Sequence, residues 1–139
     1  MSITDVKRNT SLPARPLWPA ISRGLMCRCP ACGEGRMFRA YLKVNDTCPA
    51  CGTELHHHRA DDFPPYLVIF IVGHILVGAM LHIEMTYTVP ASIYLWVLVP
   101  TTLVLSLVLL PVAKGGVIGL QWAQYMHGFH PDHAPGDDA

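Results

Sequence analysis

Cys29-Pro30-Ala31-Cys32-Gly33 and Cys48-Pro49-Ala50-Cys51-Gly52 are one pentapeptide written twice, with fifteen residues between the two CxxC pairs. Two such turns bring four thiolates together and complete the tetrahedral coordination of Zn²⁺, so Cys29, Cys32, Cys48 and Cys51 are the candidate metal ligands. In each turn the proline restrains the backbone. The following glycine can take positive φ, which aims backbone N–H groups at the sulfurs. An all-cysteine set leaves no open coordination position, so the expected zinc is structural rather than catalytic. Iron in a rubredoxin-like site is the rival, because the same knuckle serves both metals; the short loop between the knuckles favours zinc. Cys27, one residue from Cys29, is too close to form a knuckle and stays outside the set.

Three other groups carry chemistry. His56 to Asp62 reads HHHRADD, whose His and Asp side chains could ligate a second metal. The reading that weighs more is a polar collar, in which Arg59 pairs with Asp61 or lipid headgroups and Asp62 caps the next helix. His74 stands inside a long apolar run, where an imidazole needs a partner. Gly73 and Gly78 would admit a neighbouring helix, and the carbonyl freed by Pro100 is a candidate acceptor. Haem or copper ligation at His74 is the sharper alternative and the weaker one. Met80, His82 and Met85 offer soft ligands for Cu(I), although their spacing does not put all three on one helical face. No nucleophile, base and oxyanion arrangement can be named, so the chain reads as non-enzymatic.

The elements that must position these residues follow from where charge and hydropathy fall. Nine of the ten Lys and Arg residues precede Tyr66 and the tenth is Lys114, with two long apolar runs between. Tyr66 to Ile83 has no formal charge and spans about 27 Å as a helix; Met85 and Tyr87 extend it, and Pro64 and Pro65 suit its first turn. A second run from Pro90 to Ala113 is long enough to cross a bilayer with tilt, kinked at Pro100, where Thr101 or Thr102 could satisfy the freed carbonyl. The charge asymmetry predicts a transmembrane hairpin with both termini in the cytosol, where thiolates stay reduced and metallated. Residues 1–65 carry nine basic and six acidic side chains, and a four-thiolate zinc adds −2, leaving about +1. That field is too weak for a nucleic-acid face.

The expected layout is an N-terminal arm (1–24), largely extended, with Leu17, Trp18, Ile21, Leu25 and Met26 available to bind apolar surface. A small β zinc ribbon with the collar (25–62) follows, then the hairpin (63–114, with spans near 66–86 and 90–113). Ile118, Trp122, Tyr125, Met126 and Phe129 recur with helical spacing, which predicts an interfacial amphipathic helix over 115–129 ahead of a disordered tail, 130–139.

CPACGEGRMFRAYLKVNDTCPACG, then HHRADDFPPY, IVGHI and QWAQYMHGF, resembles the bacterial membrane family called domain of unknown function 983. The resemblance runs from about Gly24 to Phe129 and leaves out Cys27 and the tail. It implies a small inner-membrane zinc-ribbon protein, of a kind often encoded in proteobacteria beside cytochrome c oxidase subunits and assembly factors. It also implies that Cys29, Cys32, Cys48 and Cys51 hold the metal, and that Arg59, Asp61, Asp62, Pro65, Tyr66 and His74 are fingerprint positions. The expected partners are the lipid bilayer and a membrane protein, with a terminal oxidase subunit or assembly factor the leading choice.

Overall fold

The computed structural model describes residues 12–56, 63–126 and 129. The collar residues Arg59, Asp61 and Asp62 and the tail 130–139 lie outside the described residues.

Five elements follow in order: helix α1 (Leu17–Leu25), strands β1 (Phe38–Ala40) and β2 (Lys43–Val44), and helices α2 (Phe63–Thr86) and α3 (Ala91–Ala123). The strands pair antiparallel, with Phe38 opposite Val44 and Ala40 opposite Lys43. Their two-residue turn, Tyr41-Leu42, needs a positive φ of 58° at Leu42. Isolated bridges Arg28↔Arg36 and Thr47↔Glu54 close the backbone around each knuckle.

The arm departs from the extended expectation. Residues 17–25 are helical despite Pro19, because Pro19 falls in the first turn, whose N–H groups have no intrahelical acceptor in any case. Apolar docking repays the ordering of so short a helix, which would be marginal by itself.

The C-terminal expectation also needs correction. No separate interfacial helix begins at residue 115, since α3 continues unbroken through Pro111 to Ala123 and its residues from 115 to 119 are all buried. At 33 residues α3 is about 50 Å long, about 20 Å more than a hydrocarbon core. Its surplus forms a post on which the head is built. Ala20-x-x-x-Gly24 on α1 crosses Gly115-x-x-x-Gly119 on α3 so closely that a Cβ on Gly24 would strike the Gly115 carbonyl, and one on Gly119 the Ala20 carbonyl. Small residues four apart are what let two helix backbones approach.

The head therefore has one shared core: Ala20 from α1, Cys29, Met37, Val44, Cys48 and Leu55 from the ribbon, and Val117, Ile118, Trp122 and Ala123 from α3. A second cluster joins Val68 and Val72 of α2 to Ala113, with Leu105, Leu109 and Leu110 packed against it. Away from that end the hairpin is bare. Phe70 is 63% exposed and Trp96 78% exposed, an arrangement water would penalise at about 25 cal/mol for each Å² of apolar surface. Both α2 and α3 are long and apolar enough to cross a membrane, and little of either apolar stretch is buried within the chain.

Candidate metal centre

Both knuckles fold alike because both have the same local sequence. The Gly33 N–H donates to Cys29 O at 2.8 Å and the Gly52 N–H to Cys48 O at 2.9 Å, with φ of 73° and 76° at the two glycines. Each turn projects its two sulfurs to one side. Facing each other, they place Cys29 Sγ 3.7 Å from Cys51 Sγ and Cys32 Sγ 3.7 Å from Cys48 Sγ, with all four atoms within 4.8 Å of one another. Four sulfurs at about 2.3 Å from a tetrahedral ion stand about 3.8 Å apart. The four cysteines are thus positioned to bind a metal ion, and none is in a disulfide.

The electrostatics prepare the site unevenly. Backbone N–H groups of Gly35 and Glu34 hold the Cys32 thiol down at about 6. Burial pushes Cys29 up to about 12, against backbone N–H groups of Cys32 and Ala31 that pull the other way. Cys51 meets an opposing burial effect, but the hydroxyl and backbone N–H of Thr53 bring it below the ordinary thiol value. A bound cation would be met by a thiolate at Cys32, and would have to displace the proton from Cys29.

Residues beyond the ligands hold this geometry. Arg23 of α1 donates from Nη1 to Pro30 O at 3.2 Å and Ala31 O at 3.0 Å, tying the first knuckle to the helix. A Cβ at Gly35 would collide with Cys48 Sγ, so only glycine lets the second knuckle reach the first. Neither residue is signalled by the CxxC spacing. Gly35 becomes legible only once the two knuckles face each other.

The β-turn fastens the head to α3 at a particular weakness. Pro111 has no N–H and so frees the carbonyl of Leu107 one turn back. The Tyr41 hydroxyl donates to that same Leu107 O at 2.6 Å, while Lys114 Nζ donates to Leu42 O at 2.9 Å. Cys27, left over by spacing, has its Sγ 3.8 Å from Pro111 O, a weak S–H contact on the same turn of helix. At the far end of the post, Arg15 donates to Trp122 O at 2.8 Å and lies 4.3 Å from the Trp122 ring and 3.9 Å from that of Tyr125.

Other sequence candidates stand apart from the metal centre. His74 is exposed, and its Nδ1 lies 2.7 Å from Phe70 O of its own helix. It therefore bonds within its own helix and not to α3 or to the carbonyl freed by Pro100, contrary to the expectation from the sequence. Thr101 and Thr102 donate to Val97 O and Leu98 O rather than to the carbonyl freed by Pro100, that of Trp96. Open space surrounds Gly73 and Gly78. Met80 is half-buried on the stripe of Val68, Val72 and Leu76, whereas His82 and Met85 are exposed, so these three do not converge as a soft-ligand set. Tyr66 is exposed, Pro65 half-buried, and His56 Nδ1 lies 3.3 Å from Asp46 O.

Four cysteines positioned to bind a metal ion, on a post continuous with an apolar helical hairpin, define a small protein with a candidate metal site and two candidate membrane spans. The family described as "Protein of unknown function (DUF983)" matches residues 38–122, and the chain belongs to that family. The match begins after the first knuckle and takes in the second, the whole hairpin and most of the post. No curated protein and no solved structure matches the chain.

Proposed function

We propose that this is a non-enzymatic, multi-pass protein of the bacterial inner membrane whose zinc ribbon, held rigidly on the cytosolic extension of α3, is an interaction module for another membrane protein. A terminal oxidase subunit or assembly factor is the partner we favour. The observation that carries this reading is the closed sulfur set: with all four positions taken by cysteine, a bound ion has no site for substrate and acts by making the head rigid. Supporting it, the one Lys or Arg residue after the apolar run, Lys114, sits where α3 leaves the hairpin and enters the head. The nine basic residues before α2 favour a cytosolic head.

The test is a mild-detergent pull-down from native membranes with mass spectrometry, run beside a Cys51→Ser chain. A membrane protein recovered with the first and lost with the second supports the module. Equal recovery with both overturns it. Topology is checked separately, by a phosphatase fused at Ala139, which should be inactive.

A second reading has one observation in its favour. Phe70 O can only accept, so the His74 Nδ1–H faces it and Nε2 is the nitrogen turned outward, the one through which a neutral histidine ligates haem or copper. A Soret band or bound copper in the purified chain, lost in His74→Leu, would establish it.

A further inference from the structure

Beside the first knuckle lies a cleft of about 350 Å³ lined by Met26, Cys27, Arg28, Glu34, Arg36 and Phe38. Its position is given by its walls. Cys27 Sγ touches the Pro111 carbonyl of α3, and Phe38 lies 3.6 Å from where a Cβ on Gly115 would be. The cleft therefore opens level with the turn of α3 that carries Lys114, the first charge after the long apolar run.

The described residues leave the charge in this cleft without a paired counter-charge. Arg28 and Arg36 are directly opposite in an antiparallel bridge, so their side chains leave the same face with Cβ atoms about 5 Å apart. Among the described residues neither guanidinium group has a hydrogen bond or ion pair, and Glu34 pairs with neither. Like charges directly opposite across a ladder destabilise it. An anion between them removes that penalty, and two guanidinium forks match the oxygens of a phosphate. The remaining walls, Met26 and Phe38, are apolar and suit the glycerol and first methylenes of a lipid better than water.

We propose that this cleft binds a phosphate group, and that a phospholipid headgroup from the adjoining leaflet supplies it. Free phosphate has the same recognition chemistry, and only the lipid source rests on the membrane reading above.

The experiment uses the full chain, delipidated in detergent with its metal retained. Binding of phosphatidylglycerol is measured by native mass spectrometry, with inorganic phosphate as competitor. Retained phosphatidylglycerol that phosphate does not displace supports the lipid; binding of phosphate alone supports the site with the free anion as its ligand. Arg28→Gln and Arg36→Gln should each weaken the wild-type binding about tenfold, the loss expected for one charge-assisted contact. Arg28→Lys keeps the charge without the fork and should fall between. Arg39→Gln, on β1 but outside the cleft, should bind as wild type does. Unchanged metal content in each variant shows that the head is intact. Failure of the wild type to bind either probe overturns the proposal, as does an equal loss in Arg39→Gln. Extraction of the chain from membranes by alkaline carbonate would refute the membrane reading while leaving the phosphate arm to be read.

Discussion

Tyr41 and Pro111 should be energetically coupled, although they lie seventy residues apart in sequence and share only one acceptor. Tyr41→Phe keeps the ring and removes the donor, leaving the Leu107 carbonyl with neither a helical N–H nor a phenol. At this exposed position the lost hydrogen bond costs about 0.5–1.5 kcal/mol. Pro111→Ala supplies the missing N–H, so Leu107 O regains its helical bond, and the same Tyr41→Phe change should then cost only a few tenths of a kcal/mol, as is usual away from specific features. The coupling expected is thus about 0.5–1 kcal/mol, at the low end of the range for residues that share a partner. Stability of the head can be followed as thermal release of its metal to a chromophoric chelator, for the wild type, both single variants and the double. Tyr41→Phe should release metal at lower temperature when Pro111 is present, and should have almost no effect on the release temperature when it is added to Pro111→Ala. Strictly additive effects would refute the reasoning, because they would mean that Tyr41 does not serve the carbonyl Pro111 frees.

Glycines that look alike in the sequence should respond with opposite sign. Gly24→Ala and Gly115→Ala drive a Cβ into backbone across the α1–α3 crossing and should cost about 1–3 kcal/mol, exposing Trp122 to solvent, while Gly73→Ala and Gly78→Ala meet open space and should be neutral or mildly stabilising. Tryptophan emission in a chain with Trp18 and Trp96 replaced by Phe reads the first pair, and thermal unfolding the second; an unshifted Trp122 spectrum in Gly115→Ala would contradict the close crossing. One zinc per chain is expected by elemental analysis, and Cys51→Ser should lose it together with protease resistance of the head; iron or no metal in the wild type would contradict this. Zinc affinity should rise with pH by about tenfold per unit for each thiol that metal must deprotonate. Above about 6 Cys32 leaves that count, being already a thiolate, whereas Cys29, pushed up to about 12, remains in it. A competition titration showing flat affinity across neutral pH would refute the proton displacement. His74→Leu should leave zinc content and α2–α3 packing unchanged, since the ring bonds only within its own helix; loss of the folded head in that variant would show a role the geometry does not contain.

The knuckles and the apolar runs were legible in the sequence for the same reason: both are local. A CPACG turn sets its sulfurs by five adjacent residues, and a run of uncharged residues measures its own length as a helix. The doubled motif therefore announced four convergent thiols before any contact was known, and the charge-free stretches announced α2 and the first part of α3. Periodicity misled at the C-terminus because an apolar face with helical spacing looks the same whether it will meet lipid or protein. The spacing of Ile118 and Trp122 predicts residues facing a membrane interface, and they face α1 and the ribbon instead. Ala20-x-x-x-Gly24 and Gly115-x-x-x-Gly119 were the available signal for that crossing, but small residues four apart acquire meaning only when the opposing backbone is known. His74 shows the same limit, since the sequence demanded a partner for its imidazole and the fold supplied the nearest carbonyl of its own helix. Tertiary structure alone decided that Arg23 ties the first knuckle, that Gly35 makes room for Cys48, and that Tyr41 serves the carbonyl Pro111 frees. Each joins residues that belong to different structural elements, beyond the reach of a single turn, where the outcome depends on which surfaces can pack while leaving the fewest polar groups unpaired.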